Sequence, residues 1–148
     1  MAISADYLPA GDGARNPADY TPELSRRARG VEIWAALASL GRSGVAEIFE
    51  RNCRAARRFA TGLAAAGYEI LNDVVLNQVL VSFGEPAVTE RIVQAVQNDG
   101  TCWCGRTVWQ RRTAMRISVC SWATTDADVE LSLAAILRVA KAVIAGTA

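Results

Sequence analysis

The stretch NQVLVSFGEPAVTERIVQAV, residues 77–96, changes its period midway, and that change decides the fold class. Up to Phe83, the residues Val79, Val81 and Phe83 alternate with Leu80 and Ser82, the two-residue period of a strand. Beyond Gly84, Glu85-Pro86 opens a helix in which Val88, Ile92, Val93 and Val96 recur at helical spacing until Gly100 stops it. Upstream, residues 68–71 read as a second strand, with a turn at Asn72-Asp73. Before them come two helices. Thr21-Pro22-Glu23 offers an N-cap, a first-turn proline and an early acid, and Val31, Trp34, Leu37 and Ala38 follow at helical spacing up to Gly41. From Ser43, Val45, Ile48, Phe49, Ala56, Phe59 and Leu63 share one side of a helix that ends at Gly67. Downstream, residues 101–104 and 107–110 read as strands on either side of Gly105, and residues 114–120 alternate Met115, Ile117 and Val119 with Arg116, Ser118 and Cys120. Thr125 and Asp128 have capping-box spacing ahead of a last helix running through Val143.

The order helix, helix, strand, strand, helix, strands, helix predicts an α+β fold, a small antiparallel or mixed sheet with helices on one face. Residues 1–20 hold Gly and Pro turn signals and no helical period, so an arm or mobile loop is expected there and the domain proper over 21–148.

Composition narrows the function. A net charge of +1 gives no overall field for nucleic acid or an anionic membrane. No apolar run approaches the ~20 residues that span a bilayer, and no basic region precedes one at the N-terminus, so a soluble cytoplasmic protein is expected. Cys53, Cys102, Cys104 and Cys120 then read as reduced thiols. With no histidine, Ser-His and Cys-His nucleophiles and mixed Cys/His zinc sites are ruled out. Cys102 and Cys104 stand one residue apart, too close for a zinc knuckle, and read as small strand residues on one face; no metal is expected. Arg26, Arg27 and Arg29, with Arg51, Arg54, Arg57 and Arg58, resemble a phosphate patch, but Glu23, Glu32, Glu47 and Glu50 nearby read better as their ion-pair partners. The four tryptophans read as core or interface residues, Trp103 and Trp109 also as the sides of an exposed hairpin.

Three segments taken together, ADYLP at 5–9, SRRARGVEIWAALASLGRSG at 25–44 and TAMRISVCSWATTDADVE at 113–130, resemble in order and spacing the C-terminal third of group II pyridoxal-phosphate (PLP) dependent amino-acid decarboxylases. That family acts on aromatic amino acids, glutamate, diaminobutyrate and related substrates, and the resemblance covers nearly the whole chain. It implies the small domain of the aspartate-aminotransferase fold, PLP as cofactor, an amino-acid substrate and dimeric association. In the family the Schiff-base lysine follows a histidine in a large domain that precedes this segment. Here the only lysine is Lys141, on the last helix. The resemblance thus implies a chain that is not catalytically self-sufficient and that works with a large PLP-binding domain or chain, or in a homo-oligomer.

Two residues carry the implied chemistry. Arg116 matches the arginine that contacts the substrate carboxylate, a group its planar donor fork can grip with two parallel hydrogen bonds. Tyr20 corresponds to a loop tyrosine that gives a proton to Cα after carbon dioxide leaves; a phenol of pKa ~10 keeps its proton at neutral pH. Tyr7 lies in another segment. The alternatives are a non-catalytic interaction module or truncated gene product, and an unrelated α+β binding domain.

Overall fold

The central strands form because β-branched and large apolar residues occupy every second position on one face and find helices to cover them. A computed structural model describes residues 27–146. Among these lie three helices and four strands: α1 (Arg29–Ala65), β1 (Glu69–Ile70), β2 (Gln78–Ser82), α2 (Pro86–Asp99), β3 (Gly105–Trp109), β4 (Arg112–Ser118) and α3 (Asp126–Ile144). The chain divides into two units, Met1–Gly41 and Arg42–Ala148.

In the first unit, Arg27 and Ala28 are not helical, so the helix starts at Arg29 rather than at the expected Thr21-Pro22 cap, which lies outside the described residues. Arg27 pairs with Glu32. The helix is broken at Gly41, whose φ of 62° with ψ of −174° suits a residue without Cβ. The expected boundary between two helices therefore falls at the glycine, with no intervening loop.

In the second unit the strand order is β1-β2-β4-β3, antiparallel throughout. Val79 faces Ile117 and Val81 faces Met115 on the helix-covered side. Phe59 and Leu63 of α1, Ile92 and Val96 of α2, and Leu133 and Ile136 of α3 close over them as one core. Phe49, expected inward, is exposed; α1 first meets the core at Asn52 and Ala55. Pro86 stands at the start of α2, and Gly100 ends it in a left-handed turn with its N–H on the Val96 carbonyl. The capping box of α3 forms as its spacing predicts. Thr125 accepts from the Asp128 N–H and Asp128 from the Thr125 N–H; the Thr125 hydroxyl, and with it the Thr125 N–H, donates to the Asp128 carboxylate and holds it below its ordinary pKa.

Two boundaries differ from expectation. Residues 101–104 are not a strand; pairing begins at Gly105, so Cys102 and Cys104 precede β3. The β3–β4 turn is Gln110-Arg111, both at positive φ (47° and 65°), the backbone sense of the tight hairpin turns usually filled by Asn-Gly. Residues without that signature hid the turn in sequence. Among the described residues no helix is long and apolar enough to cross a membrane.

Candidate functional site

β4 presents two chemically distinct sides because its side chains alternate. Met115 and Ile117 enter the core, while Arg112, Ala114, Arg116 and Ser118 lie on the other face of the sheet. On that face Arg112, Arg116 and Ser118 are exposed, while Ala114 is buried.

Three arginines stand on β3 and β4, and two are committed. Arg112 donates through both terminal nitrogens to the Glu69 carboxylate, one contact being 2.7 Å, a bidentate pair reaching across β2 from β4 to β1. The pair holds Glu69 below and Arg112 above their ordinary pKa values, chiefly through these hydrogen bonds. It spans Ser82 and Ala114, both buried although they point away from the helices. Arg106 is tied to Glu90 at 2.8 Å. Arg116 is exposed and, among the described residues, has no ion-pair or hydrogen-bond partner. Its strand neighbours are Leu80 on β2 and Gly105 on β3. The guanidinium reaches toward β3: a Cβ placed on Gly105 would lie 4.0 Å from Arg116 Nη2.

The chain leaving β4 is pinned from two sides. Asn77 and Val119 exchange hydrogen bonds, Val119 N–H to the Asn77 carbonyl at 3.0 Å and Asn77 Nδ2 to the Val119 carbonyl at 2.9 Å. Arg51 donates to the Trp122 carbonyl. Arg116 itself is paired on both sides, with Leu80 of β2 and Gly105 of β3, which suits a residue that must orient a substrate.

A pocket of about 220 Å³ lies by this turn, lined by Phe59, Cys102, Cys104, Cys120, Asp128 and Ser132 among others; Arg116 does not line it. Burial pushes the Cys104 thiol up to about 12 and raises Cys102 as well. At neutral pH both stay protonated and weakly nucleophilic. Among the described residues no group of three or more His, Cys, Asp or Glu side chains could hold a metal ion. Native-state alkylation with iodoacetamide, followed by peptide mass spectrometry, is expected to modify the exposed Cys120 first and Cys104 last, only on unfolding; early labelling of Cys104 would contradict its burial.

The other sequence candidates are distributed differently. Tyr20 and Tyr7 lie outside the described residues. Lys141 is exposed, in the last turn of α3, where its charge suits the helix end. Two of the four arginines at 51–58 of α1 form ion pairs, Arg54 with Glu47 and Arg58 with Glu130, the latter a partner 72 residues away that sequence proximity did not suggest. The core reading of the tryptophans is corrected, since Trp34, Trp103, Trp109 and Trp122 are all exposed. Gly105, expected between two strands, is instead the first residue of β3 and pairs with Arg116.

The architecture matches a known class of fold. The chain has the α+β small-domain fold found in type I PLP enzymes. It is similar to Oryza sativa TDC, solved with PLP and tryptamine, at 16% identity and a TM-score of 0.74, over 85% of this chain and 29% of that one. Catharanthus roseus tryptophan decarboxylase, in complex with L-tryptophan, matches at 14% identity and 0.71, over 88% and 32%. The glutamate decarboxylase domain of diaminobutyrate-pyruvate transaminase and L-2,4-diaminobutyrate decarboxylase from Vibrio parahaemolyticus matches at 14% and 0.62, over 75% and 25%. The chain thus spans about a third or less of the length of these enzymes. No family model matches the sequence.

Proposed function

We propose that the chain is the C-terminal small-domain portion of a PLP-dependent amino-acid decarboxylase, in which Arg116 holds the substrate carboxylate. The observation that supports this most is Arg116 itself, an exposed guanidinium without a partner among the described residues, on a strand paired on both sides and on the sheet face opposite the helices. Arg106 and Arg112 are already satisfied; only Arg116 of the three offers its full donor fork to an incoming anion.

The described residues do not fit the cofactor. A Schiff-base lysine must be activated by burial or a cationic neighbour, whereas Lys141 is exposed and lines no part of the pocket. The lysine is therefore supplied by a large PLP-binding domain or chain, and association with it, or within a homo-oligomer, completes the enzyme. The exposed Trp103, Trp109 and Trp122 are in keeping with a surface that such a partner covers. The four free thiols are in keeping with a cytoplasmic setting.

Tyr20 acts in this reading as the proton donor to the substrate Cα, a role that suits a phenol because its ordinary pKa of ~10 keeps a proton available at neutral pH. Tyr20→Phe in the assembled enzyme is expected to leave KM within a few fold and to lower kcat on the order of 10²-fold. A kcat equal to wild type in a steady-state assay would remove Tyr20 from the reaction.

The test of the whole reading is reconstitution. Co-expression with a lysine-bearing large domain encoded in the same genome is expected to give release of carbon dioxide from an L-amino acid, with neither chain active alone. PLP added to this chain by itself should leave the spectrum of the free aldehyde unchanged. A stoichiometric new absorbance band that disappears in Lys141→Ala would overturn the proposal, as would a reconstituted pair that binds PLP but turns over no amino acid. A non-catalytic interaction module, the second reading, draws on the same exposed tryptophans and predicts that inactive outcome.

A further inference from the structure

We infer that Gly105 is a positioning residue for Arg116: its missing side chain keeps the guanidinium lying toward β3 and leaves its donor fork open to the carboxylate of an amino acid. This rests on the reading of Arg116 as the carboxylate-binding residue and adds the element that shapes its access.

Glycine weakens a strand, so its presence inside β3 calls for a reason. The backbone supplies none, because Gly105 is not among the residues at positive φ and its conformation is open to any L-residue. The reason lies across the ladder. Gly105 is the direct partner of Arg116, and on the same face the next β3 positions carry Thr107 and Trp109. On its other side Arg116 meets Leu80, a large and buried side chain, and its guanidinium lies over the glycine. At 4.0 Å from Nη2, an added Cβ is an ordinary contact. Alanine is therefore accommodated, but the γ carbons of a larger side chain would take the space in which the guanidinium lies. Neither Arg106 nor Arg112 has a glycine opposite, their ladder partners being Met115 and Trp109. Of the three arginines on the paired strands, the one with no ion-pair partner among the described residues is the one that faces an empty position.

The experiment is a titration of the 15N-labelled 148-residue chain with N-acetyl-L-alanine, whose only charge is its carboxylate, following the arginine Nε–Hε signals; the Arg116 signal is identified by its loss in Arg116→Lys. Wild type is expected to show a saturable shift at Arg116 and none at Arg106 or Arg112. Gly105→Ala should bind within a few fold of wild type. Gly105→Val should bind on the order of tenfold more weakly while its Tm stays level or rises, because a β-branched residue suits a strand. A merely structural glycine gives the reverse, a lower Tm in Gly105→Val with binding retained by the folded fraction. Wild-type affinity in Gly105→Val, with binding abolished in Arg116→Gln, overturns the role of Gly105 and leaves that of Arg116. Wild-type affinity in Arg116→Gln, or no saturable shift in wild type, overturns the carboxylate reading and this inference with it.

Discussion

Arg116→Gln in the reconstituted enzyme is expected to lower kcat/KM by roughly 10²- to 10⁴-fold, since two charge-assisted hydrogen bonds of about 1.5–3 kcal/mol each are lost. KM should carry the larger share. The carboxylate gives up its charge as carbon dioxide departs, so an arginine that grips it does so more strongly in the ground state than in the transition state. What the arginine contributes to kcat is orientation, the placing of the bond to be broken. Arg116→Lys keeps the charge but not the planar fork and should fall between wild type and Gln, with kcat suffering relatively more than in a loss of charge alone. Steady-state decarboxylation measured over a range of amino-acid concentrations separates the two parameters. A Gln variant within about threefold of wild type in kcat/KM, well under 1.4 kcal/mol, would return Arg116 to the status of a solvated strand residue.

The largest effect on stability is expected at Gly62, a position where helix propensity gives the wrong sign. Glycine inside a helix costs about 0.8–1.0 kcal/mol relative to alanine, so Gly62→Ala should stabilise an isolated α1. In the folded chain, a Cβ at residue 62 would lie 2.4 Å from Leu133 Cδ2 and 3.3 Å from its Cγ. Leu133 is nearly fully buried in the common core and has little room to move aside. Overpacking of this kind costs about 1–3 kcal/mol, so Gly62→Ala should be neutral to destabilising and Gly62→Val destabilising by about 3 kcal/mol. Urea unfolding of both variants reads this directly. The cause is confirmed by a double-mutant cycle: in a Leu133→Ala background, Gly62→Val should cost much less than alone. Unchanged cost in that background would place the strain elsewhere.

Much of the fold was legible because its signals are local. The capping box at Thr125 and Asp128, Pro86 and Gly100 bounding α2, and the alternation of β4 that sets Arg116 opposite Met115 and Ile117 all rest on residues within a few positions of one another. Where a local signal was weak, the reading slipped. Gln110-Arg111 turns without a turn signature, and Phe49 has the spacing of a core residue but sits on a turn of α1 that precedes the buried face. The arginine run shows the same limit, since Arg58 was read against its neighbours on the helix and pairs with Glu130 on α3.

By itself, then, the sequence determined the α+β class, the order of the elements and the outward side of Arg116, because hydrophobic period and helix caps are settled by neighbouring residues. Tertiary structure decided the strand order β1-β2-β4-β3, the register that sets Gly105 against Arg116, the commitment of Arg112 to Glu69, and the approach of Gly62 to Leu133. Each of these joins residues distant in the chain, and their pairing depends on how the helices and strands bury one another's faces, a choice that no local period encodes.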